Sequence, residues 1–294
     1  MIWDEAEGAA YRVVDAHTHW SKLLRRVTLR WPLVKLLRLV AIHELLDHAR
    51  VAWPRERQRH GDEPADLTRA RLFERVQDAY HLDACVVLPI FAFDNELVLE
   101  MAARSPNRVV GFVNLNPMWS EAKFWEMAKK YDREACAGVK LAPHFQKFHF
   151  SVHQEAVERV FQWADESRPK RLVLAHTGSH SDVRDLACLA RAHPEVPLVL
   201  GHSGLAPQVD QAVQLAREHP NAYLETSGQP YIYKLEEAAR DPDVGVERLL
   251  YGSDLPTLHP RVEQAKLLGS SLSGEEKRLV FAGNLERLLR TRRP

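Results

Sequence analysis

Short apolar runs recur along the 294 residues in alternation with stretches of helical spacing, and this alternation constrains the fold more than any other feature. The runs are 13–19 (VVDAHTH), 84–91 (ACVVLPIF), 109–115 (VVGFVNL), 138–142 (GVKLA), 171–176 (RLVLAH), 198–202 (LVLGH), 222–226 (AYLET) and 249–254 (LLYGSD). Between them lie 67–80, 121–131, 154–164, 183–192, 209–218 and 261–268, whose apolar residues fall near helical spacing. Strands that alternate with helices pair in parallel, and eight such units are the count that closes a (β/α)8 TIM barrel. No Ser/Gly-rich linker or change of composition divides the chain, so residues 1–294 are expected to form one domain.

Two segments depart from the bare repeat. Residues 20–63 are far longer than an ordinary βα loop. Within them 31–46 (WPLVKLLRLVAIHELL) predicts an amphipathic helix with Pro32 in its first turn. A loop after a barrel strand lies on the catalytic face, so this insertion is a lid or a homodimer contact, or else a helix packed on the rim. Residues 274–289 predict a closing helix against the barrel.

Charge narrows the partners. The chain carries 40 basic and 40 acidic residues, a formal net charge of zero, which gives no general attraction for nucleic acid or an anionic membrane. A small-molecule substrate is expected instead. Cys85, Cys136 and Cys188 are odd in number and widely spaced, which fits neither a disulfide framework nor a cysteine zinc site and suits a reducing cytoplasm. The opening residues MIWDEAEGAA do not have the pattern of a signal peptide, and no apolar run reaches membrane-spanning length.

The chemistry sits at the strand ends. Alternation along 13–19 directs Asp15, His17 and His19 to one face. The same parity sets Leu172, Leu174 and His176 together, then Leu198, Leu200 and His202, then Leu250, Gly252 and Asp254. In a barrel these ends converge on one rim. Nitrogen and oxygen ligands without thiolates suit Zn²⁺, and less exclusively Mn²⁺, Fe²⁺ or Co²⁺. A metal with an open position makes hydroxide available near neutral pH. Asp254 can bind the metal and take the proton of its water, while His202 can be a ligand or can polarise a substrate carbonyl.

The set Asp15-Ala16-His17-Thr18-His19, His176, His202 and Ser253-Asp254 resembles the amidohydrolase superfamily. More closely it resembles the amidohydrolase-related branch that includes aminocarboxymuconate semialdehyde decarboxylase and related decarboxylases, hydratases and hydrolases. The likeness runs from about Arg12 to the 281–284 turn (FAGN) and the final helix. It implies that His17, His19, His176 and Asp254 bind one divalent metal and that His202 is the catalytic, substrate-facing histidine. In binuclear members of the superfamily a strand-four lysine is carboxylated and bridges two metals, which would give Lys140 that role and add a second ion. Otherwise Lys140 binds a substrate carboxylate or pairs with an acid.

His144 and His149, on the loop after the fourth barrel strand, are candidates for substrate contact, and no role follows for Glu225. The activity expected is that of a metal-dependent hydrolase cleaving a C–N or C–O bond. The alternatives are non-oxidative decarboxylation of an aromatic or muconate-type acid on the same site, a non-catalytic ligand-binding barrel, and a metal-free lactonase.

Overall fold

The computed structural model describes residues 1–21 and 65–290. Strands β1 (Ile2–Asp4) and β2 (Ala9–Tyr11) pair as an antiparallel hairpin that the strand pattern did not foretell. The hairpin is held to the C-terminal segment by stacking of Tyr11 on Phe281 and by a buried ion pair, Lys277 Nζ to Asp4 Oδ2 at 3.3 Å.

The remaining strands are β3 (Val14–Trp20), β4 (Ala84–Pro89), β5 (Val109–Val113), β6 (Cys136–Leu141), β7 (Leu172–His176), β8 (Leu198–Gly201), β9 (Ala222–Glu225) and β10 (Leu249–Leu250). They lie side by side in chain order and all pair in parallel. Every residue of β4 and β6 is buried, which is why these strands read as continuous apolar runs rather than alternating ones. The helices Ala65–Ala79, Glu121–Tyr131, Gln154–Glu166, Leu205–Glu218 and Pro260–Leu268 fall on predicted segments, and Asn95–Arg104 and Ile232–Arg240 complete the repeat.

Two layers of core follow from the strand faces. Val14, Ala16, Val86, Leu88, Phe112, Leu172, Leu174, Val199 and Leu250 fill the barrel interior. Leu285 and Leu288 of the closing helix Asn284–Arg290 pack into the same cluster. Outside, Cys85, Val87, Val139, Val173, Leu198 and Leu200 meet the helices. The barrel is nearly closed, and its seam is short, since β10 contributes only Leu249 and Leu250 to the ladder. Beyond them the seam is joined to β3 by Ala16 N to Tyr251 O (2.8 Å), Asp254 N to His17 O (2.7 Å) and His19 N to Leu255 O (2.6 Å).

Of the insertion predicted over 20–63, Trp20 and Ser21 are described, and the helix predicted over 31–46 lies outside the described residues. No helix among the described residues is long and apolar enough to cross a membrane.

Candidate functional site

The first barrel strand does not keep its alternation. In the pairing of β3 with β4, Val14 faces Ala84 and Asp15 faces Cys85, after which the register shifts and Thr18 faces Val87. A bulge therefore turns two successive residues, Ala16 and His17, toward the interior. Asp15 is left on the outer face, apart from His17 and His19, which corrects the single face predicted for all three. The fully buried Asp15 carboxyl is pushed up to about 8, chiefly by burial.

His202 departs from parity as well. Its strand-mates Leu198 and Leu200 belong to the outer core, so β8 would carry it outward. The chain instead leaves the ladder after Gly201 in a left-handed turn, with φ of 67° at His202 and 44° at Ser203, and this swings the imidazole inward. Asp254 has φ of 52°. Such backbones cost non-glycine residues roughly 1–2 kcal/mol each and persist where the surroundings over-determine them.

Five side chains meet at the C-terminal mouth. His17 Nε2 stands 3.2 Å from His19 Nε2 and 3.4 Å from Asp254 Oδ1, and His19 Nε2 is 3.3 Å from the same oxygen. Lys140 Nζ is 3.0 Å from His17 Nε2. His202 lies over His17 with ring centroids 4.7 Å apart. His17, His202 and Asp254 each offer one ligand atom within 4.8 Å of the others. His176 reaches this group through His202, Nδ1 to Nε2 at 3.0 Å, and its own Nε2 meets Ser179 Oγ at 2.8 Å.

The other ring nitrogens decide the tautomers. His17 Nδ1 is 2.8 Å from Glu225 Oε2, and His19 Nδ1 is 3.2 Å from the carbonyl of Leu88. Both partners accept, so the protons are assigned to Nδ1 and both Nε2 lone pairs face the gap. Asp254 Oδ1 points into it too, so three acceptor atoms converge on a space where Lys140 is the donor at hand.

Ligands about 2.0–2.2 Å from one tetrahedral ion stand about 3.3–3.6 Å apart, and the three observed separations lie at or just below that range. The donor set fits a divalent cation.

Electrostatics agree with that fit. Burial holds the imidazoles of His17 and His19 below their ordinary range, with the nearby Lys140 acting the same way. His176 is lowered by burial and by His202. Burial pushes the Asp254 carboxyl up, but His17, His19 and His202 more than offset this and keep it below the usual carboxylate range. These ligands are thus deprotonated at neutral pH, as metal binding requires. Lys140 is brought down to about 8 by burial, against the pull of Asp254 and Glu225.

Glu225 is the site residue that sequence reasoning missed. Its Oε2 accepts from His17 Nδ1, from the backbone amide of His202 at 2.9 Å and from Ser227 Oγ at 2.8 Å. Ser227 in turn holds His202 Nδ1, through its carbonyl at 3.1 Å and its hydroxyl at 3.0 Å. The available signal was parity, because Tyr223 packs against the interior cluster and Glu225 shares its face.

Around the mouth, His144 lies against His176 and His180, with centroids 4.9 and 5.3 Å away, and its buried Nδ1 has no hydrogen-bond partner among the described residues. Burial and His180 lower its pKa to about 4. His149 is exposed, and its amide meets His153 Nδ1 at 3.0 Å. An aromatic run continues outward from His144 through Phe145 (4.0 Å), Phe91 (6.1 Å from Phe145) and Phe93 (5.2 Å from Phe91).

Comparison with known proteins bears on this arrangement. Residues 14–291 match the amidohydrolase-2 family model, described as Amidohydrolase. No curated protein sequence matches the chain. Among solved structures, it is similar to an uncharacterized TIM-barrel protein from Bordetella bronchiseptica, with TM-score 0.70 and 16% identity over 95% of this chain and 98% of that one.

It is also similar to 2,6-dihydroxybenzoate decarboxylase from Rhizobium (TM-score 0.61, 14% identity, 96% of this chain and 99% of that one). A third is 5-carboxyvanillate decarboxylase from Novosphingobium aromaticivorans complexed with manganese and 4-hydroxy-3-methoxy-5-nitrobenzoic acid (TM-score 0.60, 14% identity, 96% of each chain). At these identities the likeness is one of fold. The family match over nearly the whole chain goes further: this protein is an enzyme of the amidohydrolase-2 family, whose members are metal-dependent hydrolases or decarboxylases.

Proposed function

We propose that the protein is a metal-dependent hydrolase that cleaves a C–N or C–O bond of a small molecule in the cytoplasm, as one domain. The observation that carries this reading is the convergence of His17 Nε2, His19 Nε2 and Asp254 Oδ1 at 3.2–3.4 Å from one another. These three would hold one divalent ion, with His176 or His202 completing the set, and an all-N/O donor set suits Zn²⁺ best. A second ion would require carboxylated Lys140. A bound ion of this kind lowers the pKa of water to about 7 and polarises an oxygen.

The side chains supply the rest. Asp254, anionic at neutral pH, accepts the proton of the attacking water and passes it to the leaving nitrogen or oxygen. His202, fixed at Nδ1 by Ser227 and with Nε2 3.0 Å from His176 Nδ1, stands beside these groups on the substrate side, where it would stabilise the charge that develops on the substrate oxygen. Lys140, largely cationic at pH 7, gives an anionic substituent a charge partner inside the barrel.

A second reading, non-oxidative decarboxylation of an aromatic acid, is favoured by one observation. Phe91, Phe93 and Phe145 are 37%, 53% and 52% exposed, form one run, and lead to His144 at the mouth. Such a run suits a planar apolar ring. Metal content per chain, measured on protein purified without chelator, followed by turnover of amide, ester, lactone and aromatic-acid panels, tests both readings. Hydrolysis without carbon dioxide release supports the first, and carbon dioxide release from an aromatic acid replaces it with the second. A chain that neither retains nor takes up Zn²⁺ or Mn²⁺ sinks both.

A further inference from the structure

We propose that Asp15, on the outer face of β3, is a positioning residue that sets the spacing between the two strands on which the site is built. The bulge in β3 takes the His17 amide out of the regular ladder with β4. Across the seam, β10 ends at Leu250, so the Ser253 amide also lies beyond any ladder partner. One carboxyl oxygen serves both: Asp15 Oδ1 accepts from His17 N at 2.9 Å and from Ser253 N at 3.0 Å. These amides belong to the residue that carries one imidazole of the site and to the residue just before Asp254.

Asp15 therefore spans the seam from behind. Backbone bonds across the same seam run through His17 O, His19 N and Asp254 N, and each depends on the register that the bulge creates. A buried amide without an acceptor is costly, so losing both acceptors favours slippage of the bulge back into regular alternation. That slip would turn His17 away from the interior. Asp15 touches neither substrate nor ion; it acts through the backbone of its neighbours. What it positions is identified by the reading given above.

The test uses full-length protein, Mn²⁺ alone as the probe, and hydrogen exchange at the His17 and Ser253 amides. Asp15→Ala is expected to weaken Mn²⁺ binding at least tenfold and to remove protection from both amides. Asp15→Asn keeps an oxygen in place and is expected to stay within threefold of the parent with both amides protected. Cys85→Ala, a packing change at the ladder partner of Asp15, controls for a loosened outer core and should leave Mn²⁺ affinity within threefold. The proposal is overturned if Asp15→Ala keeps parental affinity or amide protection, or if Cys85→Ala loses affinity as fully. If Asp15→Ala does not fold, Asp15→Asn decides: a folded Asp15→Asn with unprotected amides and weakened binding rejects the clamp. Failure of the parent to bind Mn²⁺ would count against the metal reading, while exchange at the two amides would still judge the role of Asp15.

Discussion

His17 Nδ1 and Glu225 Oε2 lie 2.8 Å apart with both side chains fully excluded from solvent. The same oxygen takes the His202 amide and the Ser227 hydroxyl, so one carboxylate orients two imidazoles. Partners of this kind are worth about 10–100-fold in metal affinity. Glu225→Gln is expected to lose affinity in that range while keeping its far-ultraviolet circular dichroism, as read by calorimetric titration with Zn²⁺.

Gly252 has no room for a side chain. A β-carbon there would collide with the Glu225 carboxylate and come within 3.0 Å of His17 Cβ. Gly252→Ala should destabilise the fold by about 1–3 kcal/mol, measured by urea unfolding, and should weaken metal binding in the protein that remains folded.

Asp254→Asn keeps the shape of the side chain and removes its basicity. Turnover on whichever panel proves productive is expected to fall about 10²–10⁴-fold, the usual contribution of a general base. A variant that turned over at the parental rate would remove Asp254 from the chemistry.

Glu263 provides the pH dependence. It lies beneath the loop that carries Ser227, accepting from Gly228 N at 3.2 Å and pairing with Lys266 at 2.5 Å. Burial nevertheless raises it to about 7 from 4.5. A carboxyl raised in the folded state binds its proton more tightly there than in the unfolded chain, so the contribution of Glu263 to stability is fullest below about pH 4.5. It falls as the pH rises toward 7, by up to about 1.4 kcal/mol per unit in that window. Glu263→Gln should flatten this slope; denaturant midpoints between pH 4.5 and 7 check it.

The aromatic run gives a kinetic test of the second reading. If it holds the ring of an aromatic acid, Phe145→Ala and Phe91→Ala should raise KM several-fold with little change in kcat, the pattern of lost uniform binding. A fall in kcat at constant KM would place these rings elsewhere in the reaction.

The barrel was legible because its strands are buried on both faces: the run at 84–91 became Ala84–Pro89 and that at 171–176 became Leu172–His176, with only the ends displaced. The rim was legible for the same reason, as His17, His19, His202 and Asp254 do meet. Orientation was harder to read, since parity assumes an unbroken strand. It failed at the bulge that parts Asp15 from His17 and at the left-handed turn of His202, two local backbone events that side-chain pattern does not record. No role followed for Glu225, although Tyr223, two residues before it on the same face of β9, packs against the interior cluster.

The seam has a consequence for how such a protein is made. Asp15 and Ser253 are separated by 238 positions, and the strands they join are the first and last of the barrel. During synthesis the N-terminal histidines leave the ribosome long before Asp254 does, so no nascent fragment holds the complete site. Its assembly is a late event that reports a finished chain. A premature stop between Glu225 and Asp254 would yield a protein with most of its strands and none of this chemistry.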